Sequence, residues 1–217
     1  MRSSRTGSFA GIAFVVVYVV AWLVSRAPDS DDPSTTIAAY YTDKGNRVLE
    51  LVSAYLFVAA AILFLILMAG LCGRLRSVEG GDTTTTSTAY AAAIVFAGLL
   101  VAGAMSLAAV PAGMSLGGIR APEGGDVINF MQSAGYGMIL VGGMLFAATS
   151  IVATSIVSIR TSALPGWSAW LGLVCACVLL FSVVWLPQIA LLIWVIAISI
   201  VLLKRPAGAS AAQPTSV

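Results

Sequence analysis

The chain has 217 residues, of which 59% are hydrophobic and 9% are charged, and its formal net charge is +2. Soluble domains contain about 45–50% apolar and about 25% charged residues, so this composition excludes an ordinary soluble domain. The small net charge argues against a nucleic-acid partner. The main solvent of this chain is therefore lipid, and the lipid bilayer is its first expected partner.

Six apolar stretches follow one another along the chain, separated by polar or Gly- and Pro-rich breaks. A helix that crosses a membrane needs about 17–25 apolar residues, so each stretch predicts one span. The predicted fold class is all-α: one integral membrane domain over residues 1–217, built as a polytopic bundle of six transmembrane helices, with a disordered cytoplasmic tail over 205–217. The spans cover residues 9–24, 51–73, 89–112, 127–159, 168–186 and 189–203.

The first span begins like a signal peptide, because basic residues precede its apolar run and Ser25, Arg26 and Ala27 loosely fit a cleavage site. The apolar run is long for a signal peptide, and no clear polar region separates it from that site. We therefore expect an uncleaved helix. Cleavage would leave five spans and the same cytoplasmic C-terminus.

The polar segment between the first two spans, residues 26–47, contains a short amphipathic pattern. Ser34 is the predicted N-cap of a helix that carries Ile37, Tyr40 and Tyr41. Ile37 and Tyr41 lie four residues apart and therefore share one helix face. We expect this face to rest on the outer membrane surface.

The fourth span carries the most informative pattern, because four polar residues recur in it at helical spacing. Lipid cannot hydrogen-bond an amide, so the face that they form should turn into the bundle. Such a face most often packs against neighbouring helices, and small residues below it allow close approach. The alternative is a polar pocket, open toward the outside, that binds a small molecule. The four residues are Asn129, Gln132, Ser133 and Tyr136.

Two carboxylates, Glu50 and Asp126, lie at the outer mouths of the second and fourth spans. They either cap the starts of these helices in solvent or reach into a shallow outer cavity. Together with the polar face of the fourth span, they complete the candidate ligand-binding residues. These are Asn129, Gln132, Ser133, Tyr136, Glu50 and Asp126.

The last two spans lie in a run without any charge, residues 168–203. As one helix this run would be roughly 54 Å long, whereas the hydrocarbon core of a bilayer is about 30 Å thick. Pro187 and Gln188 form its only break. We interpret them as a tight turn between two spans.

Orientation follows from the lysine and arginine residues near the span ends, since these residues are enriched on the cytoplasmic side. With the N-terminus inside, seven basic residues lie inside and four lie outside. This bias predicts a multi-pass protein of the cell membrane with both termini cytoplasmic. The inner residues are Arg2, Arg5, Arg74, Arg76, Arg160, Lys204 and Arg205, and the outer residues are Arg26, Lys44, Arg47 and Arg120.

Several function classes are disfavoured by what the sequence lacks. No charged residue lies near the centre of a predicted span, whereas ion-coupled transporters, pumps and voltage sensors usually need one. The chain has no histidine, which excludes a His-ligated haem and a His-based catalytic triad. Its cysteines, Cys72, Cys175 and Cys177, fit small apolar fillers, so we expect no disulfide, no metal site and no cofactor.

Short motifs are spread over the whole chain: Gly11-Ile12-Ala13 in the first span, Arg74-Leu75-Arg76 after the second, Leu164-Pro165-Gly166-Trp167 before the fifth and Leu192-Ile193-Trp194 in the last. In these motifs the chain resembles a bacterial family of six-span membrane proteins whose function is not assigned. The resemblance implies an architecture and a cell-membrane location, and it implies no activity. Members of that family often carry a carboxylate in the region before the last Trp, and in this chain Gln188 stands in that area, which argues against a titrating site there.

Three functions remain open from the sequence. The first is a non-enzymatic membrane protein that binds a small apolar or amphipathic ligand, or a membrane partner. The second is a transporter or channel subunit that works without a charge inside the membrane. The third, least favoured, is a membrane-embedded enzyme that uses Glu50 and Asp126, and it requires these two carboxylates to converge in one cavity.

Overall fold

A computed structural model describes residues 2–28, 32–80, 83–118, 126–182 and 186–204, and the predicted tail 205–217 lies outside them. This part of the chain contains helices and no strand. The predicted all-α class is therefore confirmed for it. The helices are α1 (Arg2–Val24), α2 (Ser34–Thr42), α3 (Lys44–Glu79), α4 (Thr84–Leu116), α5 (Asp126–Tyr136), α6 (Met144–Thr161), α7 (Gly166–Leu179) and α8 (Ile189–Lys204).

Five of the described helical segments are long and apolar enough to cross a membrane, as judged by length and composition. They coincide with predicted spans one to four and six. The chain is therefore a helical membrane protein with several candidate spans. The five segments are Thr6–Val24, Lys44–Glu79, Thr84–Leu116, Asp126–Thr161 and Leu186–Lys204.

The helix at the fifth predicted span, residues 168–186, is shorter than expected. Helix α7 has 14 residues, which corresponds to a length of about 21 Å. The N–H groups of residues 180–182 then bond carbonyl groups three residues back, so the helix tightens before it ends. A 3₁₀ turn, Leu186–Gln188, leads into α8. Helix α7 ends at Leu179 and α8 begins at Ile189, so the uncharged run is not one continuous helix, as the sequence predicts.

The long helices form a ring of neighbours around one core. In order, α1 contacts α3, α3 contacts α4, α4 contacts α6, α6 contacts α7, α7 contacts α8, and α8 returns to α1. A Cβ added to Gly7 would touch the backbone of Gly70, and one added to Gly11 would collide with the Ser199 hydroxyl. The start of α1 therefore lies beside the ends of α3 and α8. Both described ends of the chain thus lie at one end of the bundle, and α2 lies at the other.

The core between α1, α3 and α4 is built from aromatic side chains. The Phe14 ring lies 5.4 Å from the Tyr18 ring and 5.3 Å from the Phe64 ring, measured between centroids. Phe64 in turn lies 4.7 Å from Phe96. Aromatic pairs at these spacings contribute about 0.5–1.5 kcal/mol each beyond their buried area. These aromatic contacts hold α1, α3 and α4 against one another.

The fourth predicted span is one continuous helix, Asp126–Thr161, but its middle differs from the prediction. The sequence predicts an uninterrupted α-helix over 127–159, whereas Gly137–Gly143 is π-helical. Glycines at both ends of this segment lower its α-helical propensity and permit the wider turns. The Ser182 hydroxyl donates a hydrogen bond to the carbonyl of Leu140 inside the segment.

Helix α2 packs on the end of the bundle, and the prediction that its apolar face rests on the membrane surface is wrong. Ile37 is 0% exposed and Tyr41 is 1% exposed, because both pack against Ile128 of α5. Burial against protein replaces burial against lipid, and it also provides a polar partner for the Tyr41 hydroxyl. The residue that precedes the first turn is Pro33 rather than Ser34.

Candidate functional site

The carboxylate of Glu50 lies near the start of α3, and the chain buries it at the junction of three segments. Glu50 is 5% exposed. Its Oε2 accepts a hydrogen bond from the Ser25 hydroxyl at 2.9 Å. Its Oε1 accepts from the backbone N–H of Arg26 at 3.1 Å and from the Tyr40 hydroxyl at 2.9 Å. Glu50 therefore joins the end of α1 to α2, and Asp43 is the residue that caps α3 in solvent.

The amide of Gln132 reaches α2 from α5. Its Nε2 donates a hydrogen bond to the Tyr41 hydroxyl at 2.9 Å, and Gln132 is only 3% exposed. Its Oε1 is buried without a hydrogen-bond partner among the described residues, and so is the Oδ1 of Asn129 one turn earlier. Two acceptor oxygens on one helix face are thus available to a donor that the described residues do not supply.

An aromatic side chain, Tyr136, follows Gln132 one helical turn later on the same side of α5. The ring of Tyr136 stacks on the ring of Trp22 with centroids 5.9 Å apart and planes 13° apart. Trp22 also meets Phe57 edge-on at 5.4 Å. On α2, the rings of Tyr40 and Tyr41 lie 5.2 Å apart. The site therefore combines acceptor oxygens with aromatic surfaces.

Burial, and then the nearby negative charge of Glu50, raise the pKa values of Tyr40 and Tyr41 well above the usual value of a tyrosine. Both phenols are therefore neutral across the physiological pH range. Glu50 therefore lies near both phenols, and its Oε1 accepts from the Tyr40 hydroxyl. The phenols serve there as neutral hydrogen-bonding groups.

The first turns of α3 also hold the end of α2. One guanidinium nitrogen of Arg47 donates to the carbonyls of Tyr41 at 2.7 Å and Thr42 at 2.8 Å. The Asn46 amide donates to the carbonyl of Tyr40 at 3.1 Å. These are carbonyls of the last turn of α2, which lack partners inside the helix and attract a cation.

The structure brings together only part of the predicted set. Glu50 and Gln132 are buried, and Asn129 and Tyr136 are half-buried on the same side of α5. Ser133 is exposed, so the prediction that it faces other helices is wrong. The buried stripe of this helix runs through positions 128, 132, 135 and 139, and a residue at 133 points about 100° away from 132.

Asp126 is exposed, whereas Glu50 is buried. The two carboxylates therefore occupy different environments. Within the described residues, no group of three His, Cys, Asp or Glu side chains is placed to hold a metal ion. All three cysteines, at positions 72, 175 and 177, are free thiols.

Ser25, Tyr40 and Tyr41 belong to the site, and the sequence did not indicate this. Ser25 appeared only as part of a candidate cleavage motif. The tyrosines appeared on an amphipathic helix, and such a pattern shows that one face is buried without showing what buries it. The bond between Gln132 and Tyr41 joins residues 91 positions apart, which is beyond the reach of a local pattern.

Mainly apolar grooves lie between helices of the described part of the bundle. One, of about 130 Å³, lies between α1 and α8, and its lining includes Tyr18 and Gln188. These two side chains are joined by a bond from the Tyr18 hydroxyl to Gln188 Oε1 at 2.7 Å. Another, of about 320 Å³, lies between α6 and α7. Their mainly apolar linings suit lipid chains more than a specific polar ligand.

No protein-family model matches the chain, and no curated protein or solved structure is significantly similar to it. The resemblance to the bacterial six-span family therefore stays a prediction.

Proposed function

We propose that this chain is a six-span protein of a bacterial cell membrane, with both termini cytoplasmic, that binds a small amphipathic ligand beneath α2 at the outer face. The observation that carries the binding proposal is the buried, unpaired Oε1 of Gln132. A buried polar atom without a partner costs about 1–3 kcal/mol. Native proteins rarely keep such an atom unless a ligand or water completes its bonding.

The sixth crossing is supported by the way α7 continues beyond its last regular turn. Helix α7 contributes about 21 Å, and the tighter turns of residues 180–182 add about 6 Å. The sum is close to the hydrocarbon thickness of about 30 Å. Helix α7 also packs between α6 and α8, which both belong to long apolar segments.

The orientation is supported by charge. The bundle end that holds the start of α1 and the end of α8 also holds Arg74 and Arg76 near the end of α3, Arg160 near the end of α6 and Lys204 at the end of α8. Basic residues are retained in the cytoplasm. The end with α2 is then outside, where a ligand reaches the site without crossing the membrane.

The ligand is amphipathic because the site has two kinds of surface. Unpaired oxygens of Gln132 and Asn129 offer polar contacts. Beside them, Ile37, Tyr41 and Ile128 form a buried cluster beneath α2. A molecule with a polar head and a short apolar part can bond the oxygens and also displace the apolar contacts of this cluster. Small-molecule sites commonly combine a mainly apolar lining with a few placed polar groups.

Cysteine labelling tests the orientation. In a chain whose native cysteines are replaced by alanine, Thr35→Cys and Ser87→Cys introduce exposed thiols on α2 and near the start of α4. We expect a membrane-impermeant maleimide to label position 35 on intact cells and position 87 only after permeabilisation. The reverse pattern would overturn the topology and place the site on the cytoplasmic face.

Ligand-observed NMR tests the binding proposal on the purified protein in lipid nanodiscs. The probes are n-butylammonium, n-butanol and butyrate, which share one apolar chain and differ in their polar head. We expect at least one of them to bind saturably. Gln132→Leu should weaken that binding by about tenfold, the equivalent of one buried hydrogen bond to a polar head.

The matched control is Gln188→Leu, which removes the other described buried glutamine of a Gln–Tyr pair, one that bonds Tyr18 of α1 and not a residue of α2. It should leave the probe affinity unchanged. Empty nanodiscs give the contribution of the lipid. If no probe binds, or if both leucine variants weaken binding equally, the site beneath α2 is a packing contact and the proposed function is wrong.

A further inference from the structure

We propose that the ligand bound beneath α2 carries a protonated amine, so that the site selects a small organic cation. This inference rests on the proposed function and adds the chemical class of the ligand. It follows from the balance of donors and acceptors, from the charge of the site and from its aromatic side chains.

The first observation is that the donors around Glu50 and the amide nitrogen of Gln132 already have acceptors. The Ser25 hydroxyl, the Arg26 N–H and the Tyr40 hydroxyl all donate to Glu50. The Gln132 amide nitrogen donates to Tyr41. The unpaired atoms of α5 are both acceptors, Gln132 Oε1 and Asn129 Oδ1. A carbonyl oxygen accepts and cannot donate, so the missing group is a hydrogen-bond donor.

The second observation is the charge. The three groups that donate to Glu50 are neutral, so its carboxylate has no lysine or arginine partner within the described part of the chain. A buried carboxylate is normally paired with a cation. Hydrogen bonds to a charged group are also about twice as strong as neutral ones. A cationic donor therefore gains more from this site than a neutral donor does.

Arg47 and Arg26 are basic residues of the segments that meet at Glu50. Arg47 directs its guanidinium to the carbonyls of Tyr41 and Thr42 at the end of α2, and its Nε is buried without a partner. The Arg26 residue is exposed. Neither of them forms an ion pair with Glu50. The nearby positive charge of Arg47 lowers the attraction for a cation without removing the acceptors that an ammonium would bond.

The third observation is that the site contains aromatic side chains. Tyr136 stacks on Trp22 at 5.9 Å, and Tyr40 and Tyr41 meet edge-on at 5.2 Å. Aromatic faces attract ammonium groups, and sites for organic cations commonly use several such rings. A bare metal ion gains less here, because Ca²⁺ prefers six to eight oxygen ligands. An anion would meet the carboxylate of Glu50 and two unpaired acceptors, and it would be repelled.

The same three probes test the ligand class on the wild-type protein. We expect n-butylammonium to bind about tenfold more tightly than n-butanol, in proportion to the gain of a charge-assisted hydrogen bond. Butyrate should show no saturable binding. Measurements with CaCl2 and with NaCl, each without an organic probe, examine whether a metal ion occupies the site instead. These comparisons need no variant and so do not depend on the folding of one.

Glu50→Gln tests the origin of the preference. This change keeps the shape of the side chain and removes the charge, so the affinity of n-butylammonium should fall to that of n-butanol. The matched control is Glu79→Gln at the other end of α3, where the carboxylate accepts a bond from Thr86. It should retain the tenfold preference. Both variants are compared only as monodisperse protein by size-exclusion chromatography.

The outcomes separate this inference from the proposed function. If n-butanol binds in a Gln132-dependent manner and n-butylammonium binds no better, the proposed function stands and the cation inference is wrong. A preference that survives Glu50→Gln, or saturable binding of CaCl2 that Glu50→Gln removes, also overturns the inference. If none of the three organic probes binds, the unpaired oxygens belong to a packing contact and both proposals are wrong.

Discussion

Gly103→Ala is expected to destabilise the bundle by about 2–3 kcal/mol, which is a typical cost of overpacking at a site that cannot relax. A Cβ at position 103 would lie 2.7 Å from the carbonyl oxygen of Gly135 and 2.5 Å from a side-chain carbon of Ile139. The first of these atoms is backbone, so a change of rotamer cannot relieve the clash. Helices α4 and α5 would have to move apart. Thermal unfolding of the detergent-solubilised protein, followed by circular dichroism, measures the loss.

Gly98→Ala, five residues earlier on α4, is the matched control. A Cβ at position 98 meets nothing within 4 Å. Alanine has a higher helix propensity than glycine by about 1 kcal/mol, so this change should leave stability unchanged or raise it. Equal destabilisation by the two changes would mean that α4 and α5 do not pack through Gly103 and Gly135.

Separation of α4 from α5 would also disturb the site beneath α2. The Ser106 hydroxyl donates to the carbonyl of Met131 at 2.8 Å, next to Gln132. Val110 and Met114 of α4 pack against the buried cluster of Ile37, Tyr41 and Ile128. The glycine contact therefore sets the rotation of α5, which determines that Gln132 is buried and Ser133 is exposed.

The long spans could be predicted from the sequence because the length of an apolar run is a local property. A run of about 20 apolar residues is a helix in lipid whatever its neighbours are, since no other open structure satisfies its backbone there. The end of α7 was misplaced because residues 180–186 are as apolar as the helix before them. Composition does not show that the chain tightens and breaks ahead of Pro187.

The site could be predicted only in part, for a related reason. The spacing of Asn129, Gln132 and Tyr136 identified the right side of α5, because amides avoid lipid. The same spacing does not show whether Ser133 is buried. Four polar residues cover a wide part of the helix surface, and Ser133 lies at the edge of that part. A hydroxyl at that edge tolerates exposure, because it can bond the backbone of its own helix.

The predicted position of α2 is wrong because an apolar helix face can be covered by lipid or by protein, and both kinds of burial need the same apolar residues. Glu50 was open to two interpretations for the same reason, since a carboxylate near a helix start suits solvent as well as a buried network. The hydrogen bonds of Ser25 and Tyr40 to Glu50 decide between these two environments. These bonds require α1, α2 and α3 to lie close together, which depends on the packing of the whole bundle.

Ile37→Asp is expected to detach α2 from the bundle while the spans stay folded. Ile37 is 0% exposed within the cluster formed with Tyr41 and Ile128. A carboxylate placed there without a partner costs several kcal/mol, which is more than one short helix gains from docking on three apolar residues. Helix α2 should therefore move into solvent. Its amide protons should exchange about 100-fold faster, the equivalent of about 2.7 kcal/mol.

Thr36→Asp is the control, because position 36 is the exposed neighbour on the same helix. It introduces the same charge and should leave exchange in α2 unchanged. Hydrogen–deuterium exchange of both variants in nanodiscs, read by mass spectrometry over residues 34–42 and over α3, separates a local detachment from a global loss of structure. If Ile37→Asp also releases α3, then α2 is part of the bundle core and does not open alone. If neither variant changes exchange in α2, this helix does not cover the site, and Gln132 is reached by another route.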